Sequence, residues 1–141
     1  MNADEFSKSL MELASHTEGS IEKVIRKACI DLYRAIVEKT PVDTGRAKAS
    51  WGLSTTYADD VHDNPEGYSY NEIAEIINKH VSDFKFDVHD DEVIIYNNVE
   101  YISELEEGTS DQAPHGMVAV SLAEFTAFFN NALSKFGKDL T

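Results

Sequence analysis

The sequence predicts an α+β fold in which a long N-terminal helix and a C-terminal helix pack on a small, mainly antiparallel sheet. Apolar residues recur at helical spacing before Thr40 and again after Ser121. Between these blocks they alternate in strand fashion, first after Arg46 and later within residues 84–97. The chain has 141 residues, of which 42% are hydrophobic and 27% charged, as is typical of a globular protein. We therefore predict a single domain over residues 1–141.

Two helical segments are predicted before Thr40. Residues 4–16 carry apolar side chains at helical spacing, and Gly19 then weakens the pattern, so one long helix and two helices with a tight joint both fit. A stronger stripe predicts a helix over Ser20–Lys39, with Ser20 as its N-cap. The stripe consists of Ile21, Val24, Ile25, Ala28, Cys29, Leu32 and Ile36. This helix ends by Thr40, because Pro41 disfavours helical backbone in the residue before it.

The segment Thr40–Arg46 joins this helix to a strand pattern. Asp43 can accept backbone N–H bonds in the turn, and Gly45 can adopt a positive φ. The alternation that follows predicts a strand over Arg46–Tyr57, in which Trp51 is a core or interface anchor. Residues 57–70 are acidic and rich in turn formers, which indicates an exposed loop.

The middle of the chain predicts one helix and one hairpin. Apolar spacing favours a helix over residues 71–81, capped by Asn71. Two β-rich runs, Phe84–Val88 and Val93–Asn97, flank an acidic turn and predict paired strands. These two strands and Arg46–Tyr57 are expected to form the sheet.

The last part of the chain is predicted to be helical. Tyr101–Ser110 indicates a short helical turn that ends at Gly108. A strongly amphipathic helix is predicted from Leu122 onward, with Ser121 as its N-cap and Gly137 as its stop.

The net charge of −14 bounds the function. It argues against proteins that wrap nucleic acid or bind anionic membranes, because both need clustered Lys and Arg. No apolar run approaches about 18 residues, so no transmembrane helix is expected. The start of the chain lacks the features of a signal peptide, and the single Cys29 has no partner for a disulfide. These features favour synthesis in a reducing cytoplasm.

No motif for catalysis, cofactor or metal binding is found. The sequence has no Gly-rich phosphate loop, no nucleophile elbow and no zincin motif, and its acidic loops do not match the spacing of a calcium loop. Cys29 on its apolar stripe is expected to be a buried small hydrophobe. The carboxylates Glu104, Glu106 and Glu107 lie against apolar neighbours, which leaves a hydrolase as a distant alternative.

Two motifs at a defined separation carry a family resemblance. The first is Thr-Pro-Val-Asp-Thr-Gly-Arg-Ala-Lys-Ala-Ser-Trp, Thr40–Trp51, which follows the long helix. The second is Tyr-Ile-Ser-Glu-Leu-Glu-Glu-Gly-Thr-Ser, Tyr101–Ser110, followed by a loop with Pro114 and by the last helix. Together they resemble the neck and tail-completion proteins of tailed bacteriophages, also described as head–tail joining or minor tail proteins. The residues that match these motifs, and that the resemblance implies to be structural or interface residues, are Pro41, Asp43, Thr44, Gly45, Arg46, Trp51, Tyr101, Glu107, Gly108, Thr109 and Pro114.

The sequence departs from the family pattern in two places. Pro114 is followed by His115 rather than by an aromatic such as Phe, and no later Pro precedes the last helix. The acidic loop and helix at residues 58–82 look like an insertion between strands.

The resemblance implies a virion structural protein without catalytic activity. Such a protein forms a homo-oligomeric ring at the head–tail junction, joins the connector to the tail and lets DNA pass without specific binding. Its implied partners are portal or head-closure (connector) proteins and tail terminator or tail tube proteins, with no membrane involved. The alternative is an acidic monomeric binding module or inhibitor, such as a nucleic-acid mimic.

Overall fold

In the computed structural model, which describes residues 3–14 and 16–136, the chain forms seven helices and two short strands. The helices are α1 (Ala3–Ala14), α2 (Glu18–Lys39), α3 (Arg46–Ala49), α4 (Tyr70–Asp83), α5 (Ile102–Glu106), α6 (Val118–Leu122) and α7 (Phe125–Phe136). The strands are β1 (Gly52–Ser54) and β2 (Ile94–Tyr96), which pair in antiparallel fashion. The predicted α+β class is confirmed, with helices flanking a small antiparallel sheet.

The long helix α2 lies at the centre of the fold. Its first half packs on α1 and α7, where Val24 and Ala28 are fully buried. Its second half contributes Tyr33 and Ile36 to the main core beside the sheet. Other buried members of this core include Trp51, Leu53, Ile73, Ile77, Phe84 and Met117. The helix therefore connects two hydrophobic clusters, one on each side.

The N-terminal region resolves into two helices, one of the two alternatives that the sequence left open. Thr17, not Ser20, is the N-cap residue of α2, and its carbonyl accepts the N–H of Ser20 at 3.1 Å. The prediction of Ser20 as the cap is wrong, since Ser20 is buried in the first helical turn. Gly19 lies inside α2, where its cost of about 1 kcal/mol relative to Ala does not break the helix.

The strand predicted over Arg46–Tyr57 is wrong in its first half. Residues 46–49 form α3, and extended pairing is confined to β1. Ala and Lys are good helix formers, and Gly45 in the left-handed conformation starts the turn. Both Ala49 and Ser50 are buried, at 0% and 3% exposure, so the apparent alternation does not mark two faces of a strand.

The predicted hairpin is also wrong. β2 pairs with β1 in the register Gly52↔Tyr96, Leu53↔Ile95 and Ser54↔Ile94, while Phe84–Val88 forms no strand. The backbone of Phe84 is used elsewhere, because its N–H donates to the His80 carbonyl at the end of α4. Its carbonyl accepts the Arg26 Nε–H at 3.1 Å.

The middle helix is present but begins and ends differently from the prediction. Ser69, not Asn71, caps α4 in a complete capping box with Glu72. The Ser69 hydroxyl accepts the Glu72 N–H at 3.2 Å, and the Glu72 carboxylate accepts the Ser69 N–H at 3.0 Å. Ile73 and Ile77 of this helix reach the main core.

The C-terminal helical block is divided into α6 and α7. Ser121 is not an N-cap, because it lies buried within α6. The predicted stop at Gly137 lies outside the described residues. The short helix after Tyr101 is confirmed as α5, and Gly108 follows it with a φ of 94°.

Candidate functional site

The two sequence motifs, some sixty residues apart in the chain, meet around one cleft of about 440 Å³. The first motif contributes the loop between α2 and α3, and the second contributes α5 and the loop after it. The predicted site residues that line the cleft are Pro41, Asp43, Thr44, Gly45, Arg46 and Tyr101. The fold therefore places the two halves of the motif pair in contact.

Gln112 joins the two loops by a pair of hydrogen bonds. Its side-chain oxygen accepts the Val42 N–H at 3.0 Å, and its amide nitrogen donates to the Val42 carbonyl at 3.2 Å. One side chain thus satisfies both backbone groups of a residue that is 43% exposed. This pairing fixes the distance between the loops.

Arg46 is the charged centre of the cleft. Its Nη1 donates to the Glu100 carboxylate at 2.9 Å, and its Nε lies 3.5 Å from Asp63 Oδ1. The guanidinium also lies over the Tyr101 ring, 5.9 Å from the centroid. Within the loop, the N–H of Arg46 donates to the Thr44 hydroxyl, so Thr44 supplies the local side-chain acceptor that was predicted for Asp43. Arg46 therefore connects the first motif to residues on two other segments.

Trp51 does not line the cleft but lies in the core beneath it. It is 4% exposed, which confirms the core reading. Its indole N–H donates to the Thr40 hydroxyl at 2.8 Å, and its carbonyl accepts the Tyr33 hydroxyl at 2.8 Å. The first motif is thus bound to α2 at its start, through Thr40, and at its end, through Trp51.

Glu106 organises the second motif. Its carboxylate accepts three backbone N–H bonds at the start of α6, from Met117 and Val118 at 2.8 Å and from Ala119 at 3.0 Å. Burial raises the pKa of Glu106, but these backbone hydrogen bonds outweigh it, so the pKa lies below its ordinary value. Because its oxygens are occupied, the contacts of Glu106 are those of a helix cap rather than of a free catalytic acid.

The remaining predicted residues lie around the loop that follows α5. Gly108 has a φ of 94°, and a Cβ at this position would collide with the Pro114 carbonyl. Thr109 donates from both its hydroxyl and its N–H to the Glu104 carbonyl, at 3.0 and 3.3 Å. Glu107, Thr109 and Pro114 are exposed, so this loop presents an ordered surface to solvent.

Sequence reasoning did not find the partners that hold this site together. Gln112 and Glu100 form long-range contacts, 70 and 54 residues away from their partners, and no local spacing signals them. In the sequence, Glu106 stands out only as part of an acidic cluster with Glu104 and Glu107. The N–H groups that Glu106 caps lie 11 to 13 residues downstream, beyond the three-residue spacing of a capping box.

Two properties of the described residues bear on other chemistries. In residues 3–14 and 16–136, no group of three or more His, Cys, Asp or Glu side chains is placed to hold a metal ion. Within the same ranges, no helix combines the length and the apolar character that a membrane crossing requires.

In the fold, the motif residues thus pack in the core, cap a helix and pair two loops. Residues 4–108 match the family model described as "Bacteriophage HK97-gp10, putative tail-component". Since the match spans more than half of the chain, the protein belongs to this family and is a phage tail component. The predicted resemblance to tailed-phage neck and tail-completion proteins is thereby confirmed at the level of the family. No curated protein and no solved structure matches the chain.

Proposed function

We propose that the protein forms a homo-oligomeric ring at the head–tail junction of a tailed phage, where it joins the connector to the tail. The family match carries this proposal, since a tail component acts in the virion through contacts with other phage structural proteins. Its position in the virion, its ring and its neighbours are the parts that we add. The neighbours are portal or head-closure proteins on one side and tail terminator or tail tube proteins on the other.

The cleft between the two motifs supports an assembly role. The loop residues Val42, Asp43 and Thr44 are exposed, yet Gln112 and the backbone of Tyr68 hold the loop in place. An exposed but ordered loop loses little conformational entropy when a partner binds. We propose that this surface, together with the loop that carries Glu107 and Thr109, contacts a neighbouring protein of the virion.

The charge of the chain supports passage of DNA without specific binding. Acidic loops that face a channel repel the phosphate backbone, and a net charge of −14 leaves few cations to bind it. The exposed carboxylates of residues 59–66 and 87–92 are the candidates for such a lining. A ring structure in which basic residues dominate the lumen would contradict this assignment.

The test is a phage in which the gene is deleted. We expect filled heads and separate tails in electron micrographs of the lysate, with infectivity restored by the wild-type gene supplied in trans. Immunogold labelling of wild-type virions should mark the head–tail junction. Normal, infectious particles that lack the protein would overturn the proposal.

The net charge also favours a second candidate, the acidic monomeric binding module that mimics nucleic acid. It predicts a protein that is absent from virions and binds a DNA-binding protein of the host or phage. Mass spectrometry of purified virions separates the two candidates, because only the first predicts a fixed copy number per particle.

A further inference from the structure

Residues 57–68 form an irregular acidic segment, loop 57–68, that connects β1 to α4. Its carboxylates Asp59, Asp60 and Asp63 are exposed, as the sequence predicts for this part of the chain. An exposed loop is as a rule mobile unless other segments hold its backbone. Loop 57–68 is held along its whole length, first by side chains of β2 and of the residue after Asn97, and then by residues of the first motif.

Asn98, which follows β2, binds the first part of this loop. Its side-chain oxygen accepts the Tyr57 hydroxyl at 2.7 Å. Its side-chain nitrogen donates to the carbonyls of Ala58 and Asp60, at 2.9 and 3.2 Å. An amide suits this position, because it carries an acceptor and two N–H donors on one short side chain. A single half-buried residue, distant in the sequence, therefore fixes the backbone of residues 57–60.

Tyr96 of β2 adds a second contact to the same part of the loop. Its hydroxyl donates to Asp60 Oδ1 at 3.2 Å, and its ring lies 6.1 Å from that of Tyr57. Burial, together with the charge of Asp60, raises the pKa of Tyr96 to about 12. The hydroxyl therefore stays protonated at neutral pH and remains a donor.

The second part of the loop is bound to the first motif. The buried Ser50 hydroxyl accepts the His62 N–H at 3.1 Å and donates to the His62 carbonyl at 3.4 Å. One residue further on, Asp63 Oδ1 lies 3.5 Å from Arg46 Nε. Loop 57–68 thus runs from the end of β2 to the charged centre of the cleft.

The exposed loop of the first motif is held from two sides. On one side, Gln112 pairs with the backbone of Val42. On the other side, the Thr44 carbonyl accepts the N–H of Tyr68, the last residue of loop 57–68, at 2.8 Å. The position of Thr44 therefore depends on loop 57–68, and the position of that loop depends on Asn98.

We propose that Asn98 is the positioning residue of residues 42–44, the exposed loop of the first motif, and that it acts through loop 57–68. The role of residues 42–44 as a contact surface rests on the proposed function. The positioning itself is a property of the single subunit, so it is measured without any partner. A partner that meets an already ordered loop loses less conformational entropy on binding, which is what Asn98 contributes to the contact.

The test compares the backbone ¹⁵N order parameters of the full-length wild type and Asn98→Asp. Aspartate has the same shape as asparagine, but its carboxylate cannot donate to the two carbonyls and repels them. The order parameters of residues 58–63 should fall from about 0.85, typical of a rigid backbone, to below about 0.6, and those of residues 42–44 should fall with them. Those of α2 should stay at about 0.85. A merely destabilised protein would show a lower melting temperature with unchanged order parameters.

A second variant and a control complete the test. Tyr57→Phe, at a side chain that is 66% exposed, removes only the hydrogen bond to Asn98 Oδ1. It should produce a smaller fall in the same two loops, and it decides the question if Asn98→Asp does not fold. The control is Asn131→Asp, which makes the same chemical change at an exposed position of α7 and should leave both loops as in the wild type.

The inference is overturned if loop 57–68 stays rigid in the folded variants. It is equally overturned if that loop becomes mobile while residues 42–44 stay rigid, or if the control mobilises the same residues. Complementation of a phage that lacks the gene tests the proposed function separately. If Asn98→Asp mobilises residues 42–44 and still restores full infectivity, the contact surface of the proposed function is wrong and the positioning by Asn98 stands.

Discussion

The indole N–H of Trp51 donates to the hydroxyl of Thr40 at 2.8 Å, and both residues are buried. The same hydroxyl donates to the Ile36 carbonyl at 2.7 Å, while the Tyr33 hydroxyl donates to the Trp51 carbonyl. These bonds join the end of α2 to the start of β1. They set the angle between the long helix and the sheet, which positions the loop between them.

Replacing Thr40 by Val tests this relationship. Valine keeps the shape but leaves the buried indole N–H without an acceptor, so the free energy of unfolding should fall by about 1–3 kcal/mol. Urea denaturation, monitored by the fluorescence of Trp51, measures this loss in the free energy of unfolding. Thr40→Ser, which retains the hydroxyl, is the control and should lose less; equal losses for the two variants would argue against the hydrogen bond as the cause.

Gly45 has a φ of 84°, which confirms the positive φ expected from the sequence. A Cβ there would lie 3.0 Å from Ile73 Cδ1 and 3.1 Å from the Tyr68 carbonyl. Gly45→Val should therefore destabilise the fold by at least about 1–3 kcal/mol, the cost of such strain. In Gly19→Val the new Cβ meets nothing within 4 Å, and stability should change by less than about 1 kcal/mol. If the Gly45→Val protein were as stable as the Gly19→Val control, the positive φ and close contacts at Gly45 would not be a source of strain.

Glu106→Gln should destabilise the protein at pH 7 by about 1–3 kcal/mol, because a carboxylate that accepts three N–H bonds becomes a neutral amide. The pKa of Glu106 is lower in the folded than in the unfolded chain. Its stabilisation is thus fully present above about pH 4.5 and is lost as the pH falls through the folded pKa. The difference in free energy of unfolding between wild type and variant, measured by denaturation from pH 7 to pH 3, should become smaller at acid pH. A difference that does not depend on pH would contradict the lowered pKa of Glu106. Glu107→Gln, at an exposed neighbour, is the control.

Cys29 should react slowly with thiol reagents. It is half-buried on the apolar side of α2, and burial raises its pKa to about 11. Two pKa units above the ordinary value of 9.0 reduce the thiolate fraction at pH 8 by about 100-fold. Labelling of the native protein should be slower by at least about that factor than labelling in denaturant. Similar rates in the two conditions would place the thiol in an open site.

Arg46→Met should leave the stability of the fold nearly unchanged, because the Glu100 and Asp63 side chains that it meets are 72% and 71% exposed and solvent screens these ion pairs. If the cleft contacts a neighbouring virion protein, the same change should lower the yield of joined particles in a complementation assay. Lys79→Met, which removes another exposed ion pair, is the control and should complement fully.

The sequence predicted the parts of the fold that depend on local patterns. The stripe of α2, the left-handed Gly45 and the glycine after α5 each follow from a few neighbouring residues. The pairing of β1 with β2 does not follow from neighbouring residues. Residues 52–54 pair with residues 94–96 and not with the nearer residues 84–88, and tertiary packing decides between these partners. Phe84 has strand propensity, but it is the C-cap residue of α4, and its carbonyl accepts a hydrogen bond from the Arg26 side chain.

The candidate site shows the same division. The motif residues were located by resemblance, and the cleft brings six of them together. Gln112 and Glu100, which hold the cleft, act across 70 and 54 residues, and Glu106, which caps α6, acts across 11 to 13 residues. None of the three has a signature in a single sequence. The role of the motif residues as interface residues stays a prediction, as does the reading of residues 58–82 as an insertion.

The packing of α2 on α7 has a consequence for synthesis on the ribosome. Val24 and Ala28 have no α7 to cover them until Phe129 and Leu133 have emerged, and 105 positions separate Ala28 from Leu133. At about 5–20 residues per second, this delay is roughly 5–21 s. During that interval the nascent chain exposes an apolar helix, and its excess of carboxylates keeps neighbouring nascent chains apart until the terminal helix closes the fold.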